Sequence, residues 1–298
     1  MKLVKKQNII HSMSKNNVPA YYMHSGETVA IETTSPGFTQ EKFDEIKATE
    51  NFPKRILSIT GPIYVFDCKR GDTLRITIKD INLDKIGKMW SGQWIGYLMD
   101  ELQTCFLKEV KVVGNEVIFD NSIKDYIQPM IGTIGIAPAN EDVDCLVPGI
   151  HGGNMDVKEL GIGSVLYLTA QVDGGLVSFG DVHATMGKGE LLGTGVEIGS
   201  TVSAKIEVLK PQDINIPVIE NSDNYITVFS DKNVESACKE LLKISIPIIM
   251  KANNLSYSDA YCFIGQFCDI GIAQLVNPLS TVTLTIPKRL LKNKFFTN

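Results

Sequence analysis

The sequence predicts a mainly β protein: a β-sandwich-like core over residues 1–210, with a smaller C-terminal α/β element over 211–298 packed on it. Three observations carry this expectation. Short β-rich runs punctuated by glycine fill the first two thirds of the chain. Helical periodicity first appears beyond Pro211. A composition of 44% apolar and 21% charged residues is that of a folded chain, and 298 residues are enough to bury a full core.

The elements follow in order. Residues 27–33 alternate, with Val29 and Ile31 on one face and Thr28, Ala30 and Glu32 on the other. Two β-rich runs, 62–66 and 73–81, flank the turn-like cluster Asp67-Cys68-Lys69-Arg70-Gly71-Asp72. Residues 109–112 and 116–119 read as a hairpin around Gly114-Asn115. A further β pair, 165–172 and 176–179, is joined by Asp173-Gly174-Gly175, and strands at 194–198 and 201–209 follow. After a strand at 224–229, residues 232–251 read as a helix capped by Asp231, with Val234, Cys238, Leu241 and Leu242 on its apolar face and Pro247 expected to kink or shorten it. A second helix starts at Ser256, with Asp259 as a capping-box acid. A strand at 281–286 closes the element.

The net charge of −5 argues against a nucleic-acid partner. No apolar run approaches the ~18 residues of a membrane helix, so no membrane partner is expected. The basic N-terminal stretch lacks the apolar segment and cleavage site of a secretory signal. Six cysteines form no CxxC pair, and the expectation is a reduced, cytoplasmic protein. A homodimer is the default assembly for a chain of this size.

Two segments do not read as ordinary core. In Pro148–Asp156, two glycines follow His151, and Asn154 and Asp156 add an amide and a carboxylate. A polar surface turn is the competing reading, because Gly, Asn and Asp are turn formers. In Gly180–Ala184, Asp181 and His183 are two residues apart, so an extended chain projects both to one face and Val182 to the other. Imidazole and carboxylate both suit a divalent cation. A simple Asp–His hydrogen bond at a strand end is the alternative. The Gly187–Gly189 turn can carry Glu190 back over the same place, while Glu197, between Val196 and Ile198, is either inward and functional or on the wet face. Two of only four histidines fall in these Gly-rich motifs, which favours a metal-assisted hydrolytic site over two unrelated turns.

HGGNMD at 151–156, with LYLTAQVDGGLVSFGDVHATMGKGE at 166–190, closely resembles the acetamidase/formamidase family. SGETVAIET at 25–33, GPIYVFDCKRGDTLRITIKDI at 61–81, PMIGTIGIAPA at 129–139, DAYCFIGQFCDIGIAQLVNP at 259–278 and IPK at 286–288 extend the resemblance over nearly the whole chain. It implies a predominantly β amidase, a hydrolase of short linear amides of the formamide or acetamide type that yields carboxylate and ammonia, with a divalent metal in the site. Two places depart from the pattern or fall outside it. Gly265-Gln266-Phe267-Cys268 stands where the family carries a small polar residue, and substrate choice is expected to differ there. Residues 88–108, with Trp90 and Trp94, match no block and are expected to shape a pocket wall.

On this reading His151, Asp181 and His183 are the metal ligands, and the ion, zinc for preference, activates a water. Glu190 or Asp156 is the general base and later the acid to ammonia. Asn154 and the amides of Gly152 and Gly153 hold the oxyanion or the substrate amide. Glu32 is a reserve carboxylate. A thiolate at Cys145 paired with His151 is the nucleophilic alternative, opposed by the acidic neighbours Asp142 and Asp144. His24 is expected in a loop and His11 near a loose terminus. The alternative of a different class is a catalytically inactive protein on the same fold that binds a small amide or a metal.

Overall fold

The computed structural model describes residues 2–35, 39–49, 57–102 and 104–297. Its frame is a nine-stranded sheet in the order Lys2–Val4, Thr28–Thr33, Ser200–Leu209, Thr73–Leu83, Val165–Thr169, Val218–Glu220, Asn224–Asp231, Ser280–Pro287 and Asp269–Gln274. A second sheet runs Gly152–Asn154, Met130–Gly135, Val177–His183, Ile59–Val65 and Ile9–Ile10, with Tyr21–Met23 pairing in parallel with Ile59–Val65. A four-stranded sheet is built from Lys124–Tyr126, Glu116–Ile118, Phe106–Val113 and Ile86–Ser91.

Strand alternation sets two cores on opposite faces of the large sheet. Leu166, Leu168, Ile219 and Ile226 point into a core shared with Ile63, Ile131, Phe179 and Val182 of the second sheet. Val165, Tyr167, Val218 and Tyr225 point the other way, into a core closed by helix α2 (Val234–Asn253) and helix α3 (Tyr257–Phe267). The mainly β architecture with a smaller C-terminal helical element is therefore the expected one. The C-terminal strands continue the same sheet as the strands before residue 210.

Several local expectations change in tertiary context. The runs 62–66 and 73–81 enter different sheets, as do 165–172 and 176–179, so neither pair is a hairpin. The hairpin around Gly114-Asn115 does form. Residues 194–198 are not a strand: Glu197 makes single bridges to Lys88 on one side and His183 on the other. Helix α2 is capped by Asn233, whose side chain accepts from the Ser236 amide at 2.9 Å, rather than by Asp231, and it runs unbroken through Pro247. Ser256 caps α3 and exchanges hydrogen bonds with Asp259, as expected. Helical residues Gln40–Thr49 and the strands Ile86–Ser91 and Asp269–Gln274 were not anticipated.

Candidate active site

The site forms on the face of the second sheet turned away from the shared core. Phe179 and Val182 are three residues apart yet both lie in that core. Asp181 reconciles this by adopting φ +57°, which breaks strict alternation and leaves Asp181 and His183 together on the outer face. The neighbouring strand contributes Thr133, whose hydroxyl donates to Asp181 Oδ2 at 3.2 Å. Gly132 is required beside it, because a Cβ there would collide with the carboxylates of Asp156 and Asp181.

Four carboxylates gather around one imidazole. His183 Nε2 lies 2.9 Å from Glu197 Oε1 and 3.6 Å from Asp181 Oδ1. Asp156, His183 and Glu190 form one group in which a donor atom from each residue lies within 4.8 Å of the others; Asp181, His183 and Glu197 form a second. All five side chains are buried. The Asn154 amide ties the groups together: oriented to satisfy its neighbours, its nitrogen donates to Asp181 Oδ2 at 2.8 Å and to Asp156 Oδ2 at 3.2 Å. Gly195 packs against the His183 ring, and its amide donates to Glu197 Oε1 at 3.2 Å.

Burial dominates the electrostatics. It pushes Asp156 up to about 6, with the charge of Asp181 adding to the effect. It pushes Glu197 up to about 8 against the opposing influence of His183. Burial and then Asp156 raise Glu190 well above the usual carboxylate range. At Asp181 burial also opposes ionisation, but His183 and the Thr133 hydroxyl outweigh it and hold the group low. His183 is raised well above the usual imidazole value: burial disfavours its charge, and Glu197 and Asp181 overcome that. One imidazolium cannot balance four buried carboxylates, so the cluster must retain protons or take up a cation. Asp156 Oδ1, Glu190 Oε2 and Glu197 Oε2 are buried without hydrogen-bond partners, and oxygen donors with one imidazole suit a divalent ion. The residues present therefore fit a metal.

The cavity over this cluster has a volume of about 40 Å³ and is lined by Asn154, Asp181, Glu190, Thr194, Glu197 and Asn277, with Leu57, Trp90, Ile95 and Leu146 as apolar walls. A single water needs roughly 10–15 Å³ by this measure, so the space suits a molecule of a few heavy atoms. Trp90 thus does form a pocket wall. Trp94 instead packs on Phe43, with ring centroids 5.8 Å apart.

Asn154, Asp156, Asp181, His183 and Glu190 are brought together from three separate segments. His151 belongs to neither group of metal-capable side chains. Its ring is buried, burial lowers it to about 4, and its Nε2 has no partner. The glycines beside it serve strand packing: Gly152 and Gly153 have φ +90° and +84°, and a Cβ on either would strike the carbonyl of Ile134 or Val147. Glu32 is bonded by the Lys6 amide at 3.3 Å and lies outside the cluster. Cys145 packs against Met13, Leu57 and Ile59. His24 sits in an exposed contact with Asp67, and His11 Nδ1 is 3.1 Å from the Leu57 carbonyl. Gly265, Gln266 and Cys268 line a different recess, beside α3, so the departure there does not touch this cavity. Thr133 and Asn277 were not singled out from the sequence; Asn277 stands in the LVNP stretch that ends the last long block of resemblance.

Two β-sheets packed face to face, carrying a sealed carboxylate–imidazole centre over a cavity for a very small molecule, define the class of protein. The chain belongs to the acetamidase/formamidase family, whose pattern it matches over residues 136–290. The crystal structure of an acetamidase from Bacillus halodurans superposes with a TM-score of 0.91 at 33% identity, covering 96% of this chain and 97% of that one. That of a predicted acetamidase/formamidase from Thermoanaerobacter tengcongensis gives a TM-score of 0.92 at 30% identity, covering 97% and 96%. The acetamidase of Mycolicibacterium smegmatis is 29% identical over 126 residues, which is 42% of this chain and 30% of that protein. The match thus spans about a third of that relative's length.

Proposed function

We propose that the chain hydrolyses short linear amides, formamide or acetamide, to carboxylate and ammonia, with a divalent cation, zinc for preference, in the buried centre. The observation that carries the reading is the pairing of a cavity of about 40 Å³ with four buried carboxylates around His183. The family and the named relatives agree with it. His183, common to both groups, would hold the ion with Asp156 of the first group; Asp181 of the second and His151 would join only by a change in side-chain position. When bound, such an ion polarises a carbonyl and acidifies water.

The chain's own residues supply the rest. Glu190, buried and raised well above the ordinary carboxylate value, can carry a proton at neutral pH and deliver it to the departing nitrogen. Glu197 Oε1 meets the same ring nitrogen of His183, Nε2, that faces Asp181, and holds the imidazole in place. Asn154 bridges Asp156 and Asp181 and keeps them aligned. Leu57, Trp90, Ile95 and Leu146 form the apolar walls of a cavity too small for a long acyl group. Among the described residues no helix is long and apolar enough to cross a membrane, and all six cysteines are unpaired, which supports a reducing, cytoplasmic setting. A homodimer is the proposed assembly.

Ammonia release from an amide series by metal-loaded protein tests the reading. Turnover of formamide or acetamide, falling steeply for butyramide and benzamide, is expected. A preference for aryl or long-chain amides would overturn the substrate assignment, and no turnover with metal bound would leave a binding protein on the same fold.

A further inference from the structure

The C-terminal element does more than cover the large sheet. The segment after strand Asp269–Gln274 enters the centre from the opposite end of the chain. Asn277 lines the cavity, and its Nδ2 donates to Asp156 Oδ2 at 2.7 Å and to the Asn154 carbonyl at 3.0 Å. Behind it, the fully buried Gln274 fixes the turn. Its Oε1 accepts from the amides of Val276 and Asn277, both at 2.9 Å, and its Nε2 donates to the Leu279 carbonyl at 2.6 Å and Thr281 Oγ1 at 2.8 Å. Every polar atom of the Gln274 side chain is thereby spent on the shape of the loop. The same segment also grips the Glu190 turn, because the Gly189 amide donates to the Ala273 carbonyl at 2.8 Å and the Leu275 amide to the Gly189 carbonyl at 3.0 Å.

Asp156 needs such help. It has φ +49°, its Oδ1 has no partner, and it stands among other carboxylates. A buried carboxylate with a free oxygen has several orientations of similar energy. A neutral donor on the other oxygen selects one of them without adding charge.

We propose that Asn277 is a positioning residue: held by Gln274, it fixes Asp156 so that Oδ1 faces the metal position, and the C-terminal element thereby completes a centre otherwise built from residues 133–197. The proposal rests on the assignment of Asp156 to the metal made above. Zinc affinity by chelator competition, and kcat and KM for formamide, are measured for wild type, Asn277→Ala, Asn277→Asp, Asp156→Asn and the Asn277→Ala/Asp156→Asn double variant, with Tm as the control for folding. Asn277→Ala is expected to weaken zinc or lower kcat by about 10–100-fold with little change in KM. Asn277→Asp, which keeps the size but loses the donor, should do at least as much harm. The double variant should be no worse than Asp156→Asn alone, because the two residues act as one unit. Multiplying losses in the double variant, or an Asn277→Asp protein that behaves as wild type, would overturn the proposal. If Asp156→Asn binds zinc normally, the metal assignment fails by itself, and the same cycle on kcat/KM still decides whether Asn277 works through Asp156. A wild-type protein with neither zinc affinity nor turnover removes both.

Discussion

His183 Nε2 faces Glu197 Oε1 at 2.9 Å, with both side chains sealed from solvent. Glu197 reaches this position through a segment that is bridged to His183 on one side and Lys88 on the other. Replacing it removes the carboxyl group nearest the imidazole. Glu197→Gln is therefore expected to lower metal affinity or turnover by about 10–100-fold while the protein folds normally. Metal content after dialysis, read beside ammonia release, checks this. Wild-type values for both would place Glu197 outside the mechanism.

Glu190 and Asp156 share a group with His183 but should fail differently. Glu190→Gln is expected to keep stoichiometric metal and lose about 100-fold or more in turnover, because general acid–base catalysis contributes on that scale. Asp156→Asn should shed metal, since a ligand must be ionised to hold a cation. Elemental analysis of the two variants, purified without a chelating tag, separates them. The reverse pattern exchanges the two roles.

The metal-free protein should lose stability as pH rises. Asp156 and Glu197 are raised in the folded state to about 6 and about 8, so the folded protein keeps protons that the unfolded chain has already released. Their stabilising contribution is present in full below pH 4 and is lost as pH climbs through these values. His183 and Glu190, also raised, act in the same direction; Asp181, which is lowered, acts against them only below pH 4, and His151, lowered to about 4 by burial, acts against them between pH 4 and 6.5. The expected result is a Tm that falls between pH 6.5 and pH 8.5 in a chelator, where no lowered group opposes Glu197 and His183, and that recovers with zinc. A Tm that rises over that range without metal contradicts the burial account.

Cys145 is not poised for nucleophilic attack. Burial, with Asp144 and Asp181 adding to it, pushes the thiol up to about 12, so almost none is thiolate at neutral pH. Cys145→Ser should keep most of the formamide rate. Iodoacetamide should label the exposed Cys262 well before Cys145, as peptide mapping would show. A serine variant that falls by orders of magnitude while retaining its metal would restore the thiol mechanism.

Much of this centre is legible in the sequence because it is local. Asp181 and His183 share a strand, and HGGN is a compact run whose glycines and polar residues stand out from apolar neighbours. Binary alternation likewise marks most strands, and the Ser256–Asp259 cap is readable within four residues. What the sequence could not decide is pairing over distance. Glu197 looks like any alternating strand residue until bridges to Lys88 and His183 turn it inward. The left-handed backbone at Asp181, which places its carboxylate beside the imidazole, comes from packing Phe179 and Val182 into one core. Asn277 lies 121 residues from Asp156, and no periodicity links them. Local spacing names the side chains able to do chemistry, because short-range geometry follows from the covalent chain. Which of them meet, and which are desolvated enough for their proton affinities to move, is set by long-range burial, a property that exists only once the sheets have closed.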